Sequence, residues 1–203
     1  MKITSVECYL GTGAIGGFVT MKINTDSGIY GWGEAGLAYG KSAEAAFGQC
    51  QDFGKLILGM DPFNTEEIWE HLHRHTFWGM GGGVVITSAM AAIDIACWDI
   101  KGKALGVPVY ELLGGKTREK VRVYASVMTK ETDPESLRRS YRELQDMGFN
   151  AAKIFVNGPI KTANGGMDEF FSGRVEDELE KVRICREAVG AHFDFVLEAH
   201  RGM

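Results

Sequence analysis

The stretch "SAMAAIDIACWDIKGKALGVPVYELLGG", residues 88–115, decides how the chain folds. Met90, Ile93, Cys97 and Ile100 recur at the three- and four-residue intervals that put side chains on one side of an α-helix. The spacing predicts a helix from about Thr87 to Leu105 that stops at "GVP". So broad an apolar surface needs partners on several sides, and the sequence before it supplies them.

Three segments upstream have strand character: "KITSVECYL" (2–10), "FVTMKINT" (18–25) and "GIYGWGEA" (28–35). The second and third flank "DSG" (26–28), a short glycine-containing turn that predicts a hairpin. Two shorter helices follow. One runs from about Ser42 to Ile57 with Ala45, Phe47 and Phe53 as its apolar residues. The other starts near Asn64, which with Glu67 has capping-box spacing, and carries Ile68 and Leu72 on one face. Strands followed by helices predict an α+β domain over residues 1–115.

After residue 115 the pattern changes to β-α-β-α-β. "KVRVYASV" (120–127), "FNAAKIFV" (149–156) and "FDFVLEA" (193–199) are the expected strands. The first connecting helix has an N-cap at Asp133, Pro134 at its first position and Gly148 as its stop. The second, from about Arg174 to Val189, carries Leu179, Val182 and Ala188. Such an alternation predicts parallel strands with right-handed crossovers over residues 116–203. Chemistry in parallel sheets and barrels gathers at the C-terminal strand ends, where Lys153, Glu198 and His200 fall.

Composition narrows the function classes. A net charge of −5 with no Lys/Arg-rich stripe argues against nucleic acid and anionic membranes as partners. No run of apolar residues is long enough to span a bilayer, and no signal peptide is read at the N-terminus. Cys8, Cys50, Cys97 and Cys185 are scattered, as expected of reduced thiols in a cytoplasmic protein. The glycine-rich stretches "GTGAIGG" (11–17), "GIYGWGEAG" (28–36) and "GMGGG" (79–83) read as turns and mobile loops. "GTGAIGG" lacks the lysine and following helix of a phosphate loop.

Each polar candidate has two readings. Glu198 and His200 are two apart at a strand end, so both side chains project to one side. A carboxylate there suits Mg²⁺ and an imidazole there can move protons; equally, the two can simply pair with each other. Lys153 lies inside an apolar strand, where it must reach the strand end or meet an acid. His71, His73 and His75 read as a helix face rather than a metal site. Asp94, Asp99 and Glu34 read as structural hydrogen-bond partners.

Residues 88–115 resemble the signature helix and exit loop of the enolase superfamily, in its mandelate racemase-like branch. "GIYGWGEA", "GFNAAKIFV" and "FVLEAHRGM" are similar to that family in order and spacing. The resemblance covers essentially the whole chain. It implies an α+β capping domain over 1–115, then over 116–203 the first three β/α units of a modified (β/α)₈ barrel, incomplete in this chain. It also implies Mg²⁺ and abstraction of a proton α to a carboxylate. Glu198 matches the third-strand metal ligand, although Asp is commoner there. The acid-x-His arrangement resembles galactonate dehydratase-like members, in which the His, here His200, protonates the departing β-hydroxyl. Racemase-like members have a second Lys where this chain has Phe155, so the resemblance implies dehydration of an acid sugar, with Lys153 holding substrate or enolate charge. By position, Ile15 and Trp78 fall on loops that would contact substrate.

The remaining acidic ligands and the catalytic base of that family belong to later strands, absent from these 203 residues. The expectation is therefore the N-terminal portion of a longer enzyme, inactive alone, or a shortened gene product. Three strands leave an open edge, which implies a homo-oligomer. A racemase, epimerase or cycloisomerase of the same superfamily stays open, as does a non-catalytic remnant acting as an oligomerising structural protein.

Overall fold

The computed structural model describes residues 1–13, 16–38, 40–126, 133–156 and 171–198. They form two compact units, Met1–Thr117 and Arg118–Met203.

The first unit opens with β1 (Ile3–Gly13), β2 (Gly16–Thr25) and β3 (Tyr30–Glu34), an antiparallel sheet in the order β1-β2-β3. On the central strand Val19, Met21, Ile23 and Thr25 are buried at alternate positions, the two-residue period of a half-covered strand. Helices α1 (Ser42–Leu56), α2 (Thr65–Arg74) and α3 (Val84–Leu105) and the single turn α4 (Val109–Leu112) follow. Met90, Ile93, Cys97 and Ile100 of α3 are all buried, together with Ile68 and Leu72 of α2 and Cys50 and Phe53 of α1. Gly106 ends α3 in the left-handed conformation, φ 67°, and its N–H returns to the carbonyls of Gly102 and Lys103.

Two readings of glycine are corrected. Gly11–Gly13 and Gly16–Gly17 do not form a loop but extend the β1–β2 ladder, with Gly13 opposite Gly16. The ring of Phe18 lies over Gly11, so close that a Cβ there would sit 2.3 Å from it. In β3, Gly31 and Gly33 mark a close approach instead of a turn. A Cβ would lie 2.0 Å from the Ala96 carbonyl oxygen and 1.8 Å from that of Ala92, so α3 rests directly on the strand. Gly82 and Gly83, both at positive φ, do form the turn before α3.

Smaller corrections follow from packing. Helix α3 begins at Val84, before the expected Thr87. Asn64 does not cap α2 through its side chain; its amide donates to the Glu67 carboxylate at 2.8 Å. Ala45 is exposed, and α1 buries Ala43 and Ala46 instead.

The second unit holds β4 (Ala125–Ser126), α5 (Pro134–Asp146), β5 (Ala151–Phe155), α6 (Phe171–Val189) and β6 (Asp194–Glu198), with parallel strands in the order β4-β5-β6. Asp133 caps α5 by accepting from the N–H groups of Glu135 and Ser136, and Gly148 turns the chain at φ 91°. Ala125, Tyr141, Ala152, Ile154, Cys185, Val189 and Phe193 make its core. The expected first strand shrinks to Ala125–Ser126 among the described residues, because Val121 and Val123 find no cover and are 71% and 61% exposed. Leu179 of α6 is likewise exposed, and Ile184 and Cys185 take the buried positions.

Candidate functional site

Alternation along β5 builds the site. Ala152 and Ile154 are buried in the helix-covered core with Tyr141 and Cys185, so Lys153 and Phe155 stand on the opposite face. β6 lies parallel beside β5, with Lys153 opposite Val196 and Phe155 opposite Glu198. Strand partners in register share a face, which puts Lys153, Phe155 and Glu198 together at the C-terminal strand ends.

The Lys153 ammonium Nζ is 3.7 Å from Glu198 Oε2 and 4.4 Å from the centroid of the Phe155 ring. The two charged side chains are 16% and 32% exposed, so their attraction is less screened than at an open surface. Ser126 is in register with Lys153 from the other side. At the same strand end Lys181 of α6 donates to the Phe155 carbonyl at 3.4 Å and pairs with Glu178 at 2.6 Å. Both readings of Lys153 therefore meet in one place, since it reaches the strand end and finds an acid there.

Glu198 is a hard oxygen donor that already holds one cation, the Lys153 ammonium. That chemistry fits a divalent ion such as Mg²⁺ as one ligand of an oxygen set. Among the described residues no group of three His, Cys, Asp or Glu could hold a metal. His200 and Ile15 lie outside the described residues.

Trp78 lies in the connection between α2 and α3, 59% exposed, with the ring of Phe77 edge-on at 5.4 Å. The α2 histidines stack: His71 on His75 at 5.3 Å and His73 on Trp69 at 6.4 Å. Asp99 accepts from the Trp32 backbone N–H at 2.9 Å and from Lys103 at 2.7 Å, fastening α3 to β3. Burial and then the neighbouring Glu66 push the Asp94 carboxyl up, partly offset by Lys101 and the Trp98 indole. Burial pushes the Cys50 and Cys97 thiols up to about 12 and Cys185 to about 11.

Sequence reasoning noted Phe155 only for the lysine it replaces and passed over Ser126. The signal for both was the alternation that singled out Lys153, carried one strand position onward and one strand across. The ring lying under the ammonium has no signature in a single sequence.

Comparison with known proteins bears on the whole chain. The family model of the mandelate racemase / muconate lactonizing enzyme N-terminal domain matches residues 3–114. A D-galactonate dehydratase of Variovorax paradoxus is 36% identical over 201 residues, 98% of this chain and 48% of that protein. The chain thus spans about half the length of the curated relatives it matches. The crystal structure of a Zymomonas mobilis protein assigned as a dehydratase superposes with TM-score 0.89 at 41% identity, over 99% of this chain and 55% of that one. An enolase superfamily member from Salmonella Typhimurium gives 0.86 at 39% identity, over 97% and 54%. Among the described residues no helix is long and apolar enough to cross a membrane.

Proposed function

Since the chain belongs to the mandelate racemase / muconate lactonizing enzyme family of the enolase superfamily, we propose that it supplies the N-terminal half of a Mg²⁺-dependent hydro-lyase. The substrate is an acid sugar, an aldonate such as galactonate. Residues 1–115 act as its capping domain, and residues 116–203 as the first β/α units of its barrel. The observation that carries this reading is the meeting of Lys153 and Glu198 on adjacent parallel strand ends, 3.7 Å apart on the face away from the helices. The resemblance to a D-galactonate dehydratase supports the substrate class.

When bound, Mg²⁺ supplies Lewis-acid stabilisation of the negative charge that develops on the substrate carboxylate as the α-proton leaves. Glu198 would hold the ion as one oxygen ligand. Lys153 would set its ammonium against the substrate carboxylate, adding a fixed positive charge where charge grows. A base from the later strands that this family supplies would take the α-proton, and His200 would give its proton to the β-hydroxyl, which leaves as water while the α-carbon electron pair forms the new double bond. Phe155 has no group that can accept a proton, so this strand offers no second base of the kind a two-base racemase needs.

The test uses the longer reading frame that contains this chain, supplied with aldonates and Mg²⁺ in deuterated water. The expected product is a 2-keto-3-deoxy sugar acid, formed only with the metal, and Glu198→Gln should slow its formation by about 10²-fold or more. Exchange of the α-proton without loss of water would instead establish an epimerase or racemase. A folded oligomer that turns over no acid sugar and takes no Mg²⁺ would establish the structural remnant.

A further inference from the structure

The Lys153 ammonium has a second neighbour besides Glu198: the face of Phe155, 4.4 Å from the ring centroid. That distance is well within the ~6 Å over which an aromatic quadrupole attracts a cation. Lysine and ring are two apart on β5, on the face away from the core of Tyr141, Ala152 and Ile154. Their meeting is therefore local to one strand.

We propose that Phe155 is a positioning residue whose ring holds the Lys153 ammonium on the face of β5 away from that core, independently of the pair with Glu198. A lysine has four methylenes of rotamer freedom and a strongly hydrated head. A carboxylate alone would tether it only while that carboxylate stays available. In the function proposed above, on which the biological meaning of this inference rests, a divalent ion takes over Glu198. Its charge then repels the ammonium. The ring keeps Lys153 at the strand end at that moment, where the substrate carboxylate arrives. A position that holds a lysine base in racemase-like relatives thus becomes, with phenylalanine, a platform for the lysine that remains.

The test is made on the 203-residue chain, metal-free, with its lysines reductively methylated by ¹³C-formaldehyde and Lys153→Arg used to assign the Lys153 signal. A cation above a ring face is shielded, so that signal should lie upfield of the lysines that face no ring; Lys101 over Trp98, and Lys22 and Lys103 over Tyr30, at 4.5, 4.8 and 4.7 Å from the ring centroids, should be shifted too and stay unmoved by changes at Phe155. It should move to the bulk lysine position in Phe155→Leu and stay upfield in Phe155→Tyr, which restores the ring. It should also stay upfield in Glu198→Gln, where the carboxylate is gone. A Lys153 signal at the bulk position in the unmutated chain overturns the proposal. So does an upfield signal that survives Phe155→Leu, or one lost in Glu198→Gln. None of these readings involves metal or turnover, so a failed dehydratase assay and a failed platform are told apart.

Discussion

Asp94 and Asp99 put the same side chain into opposite surroundings on α3. Asp99 is surrounded by donors, the Trp32 N–H and the Lys103 ammonium. Asp94 is half-buried, and the nearby Glu66 raises its pKa further. A carboxyl with a raised folded pKa holds its proton more tightly folded than unfolded. Below the ordinary carboxylate range both states are protonated and nothing is lost. As pH rises through the raised pKa, ionisation costs the folded state more than the unfolded one, and stability falls. Asp94→Asn removes that cost and keeps an oxygen for the Trp98 indole. At pH 7 the variant should be more stable, with the advantage fading as pH drops below the Asp94 pKa. Melting temperatures of both proteins across the acidic range decide the matter; a variant less stable at pH 7 than at pH 3, relative to the parent chain, contradicts the reading.

At the scale of elements, the contact of α3 with β3 is the most exacting in the first unit. Gly33→Ala would place a methyl 1.8 Å from the Ala92 carbonyl oxygen, which is helix backbone and cannot step aside. The expected loss is about 3 kcal/mol or more, read from denaturant midpoints. Gly28→Ala, at the β2–β3 turn, has nothing within 4 Å of its new Cβ and costs only its positive φ of 80°. Equal losses at the two positions would refute the close approach. This difference also shows what was legible. The sequence marked β3, α3, the α5 cap at Asp133 and the parallel run of β5 and β6, because each is written in local periodicity or capping chemistry. It could not separate a glycine that turns the chain from one that admits a helix, since both are only missing side chains. It drew the first strand of the second unit too long for a related reason: "KVRVYASV" has strand composition, but Val121 and Val123 are exposed and only Ala125–Ser126 pair among the described residues. Lys153 and Glu198 were singled out separately, each with a bland alternative. Their meeting needed the parallel register of β5 and β6, which no residue in either strand announces.

At the scale of the whole molecule the two units differ in how much apolar surface they close off. In the first, the core runs from β2 through α1 and α3 to α2, with Met21, Ile23, Phe53, Met90, Ile93 and Ile100 essentially fully buried. In the second, the core around Tyr141, Ile154 and Phe193 is smaller, and Val196 and Leu197 of β6 are 41% and 53% exposed. A parallel sheet is ordinarily covered on both faces, and among the described residues of this unit helices cover the face of Ala152 and Ile154. Less burial means a lower free energy for local opening. The cysteines report on each unit separately. Cys8 is half-buried, whereas Cys50 and Cys97 lie in the first core and Cys185 in the second, all three with thiols pushed far up. A thiol in that state reacts as thiolate only after the structure around it opens. Alkylation of the native chain at pH 8, followed by mass spectrometry of its peptides, should therefore label Cys8 first. Cys185 should follow as the second unit opens, and Cys50 and Cys97 should come together and last. Labelling of Cys50 or Cys97 ahead of Cys185 would mean that the first unit is the weaker one. Simultaneous labelling of all three would mean that the chain opens only as a whole, and the difference in burial would then not govern its opening.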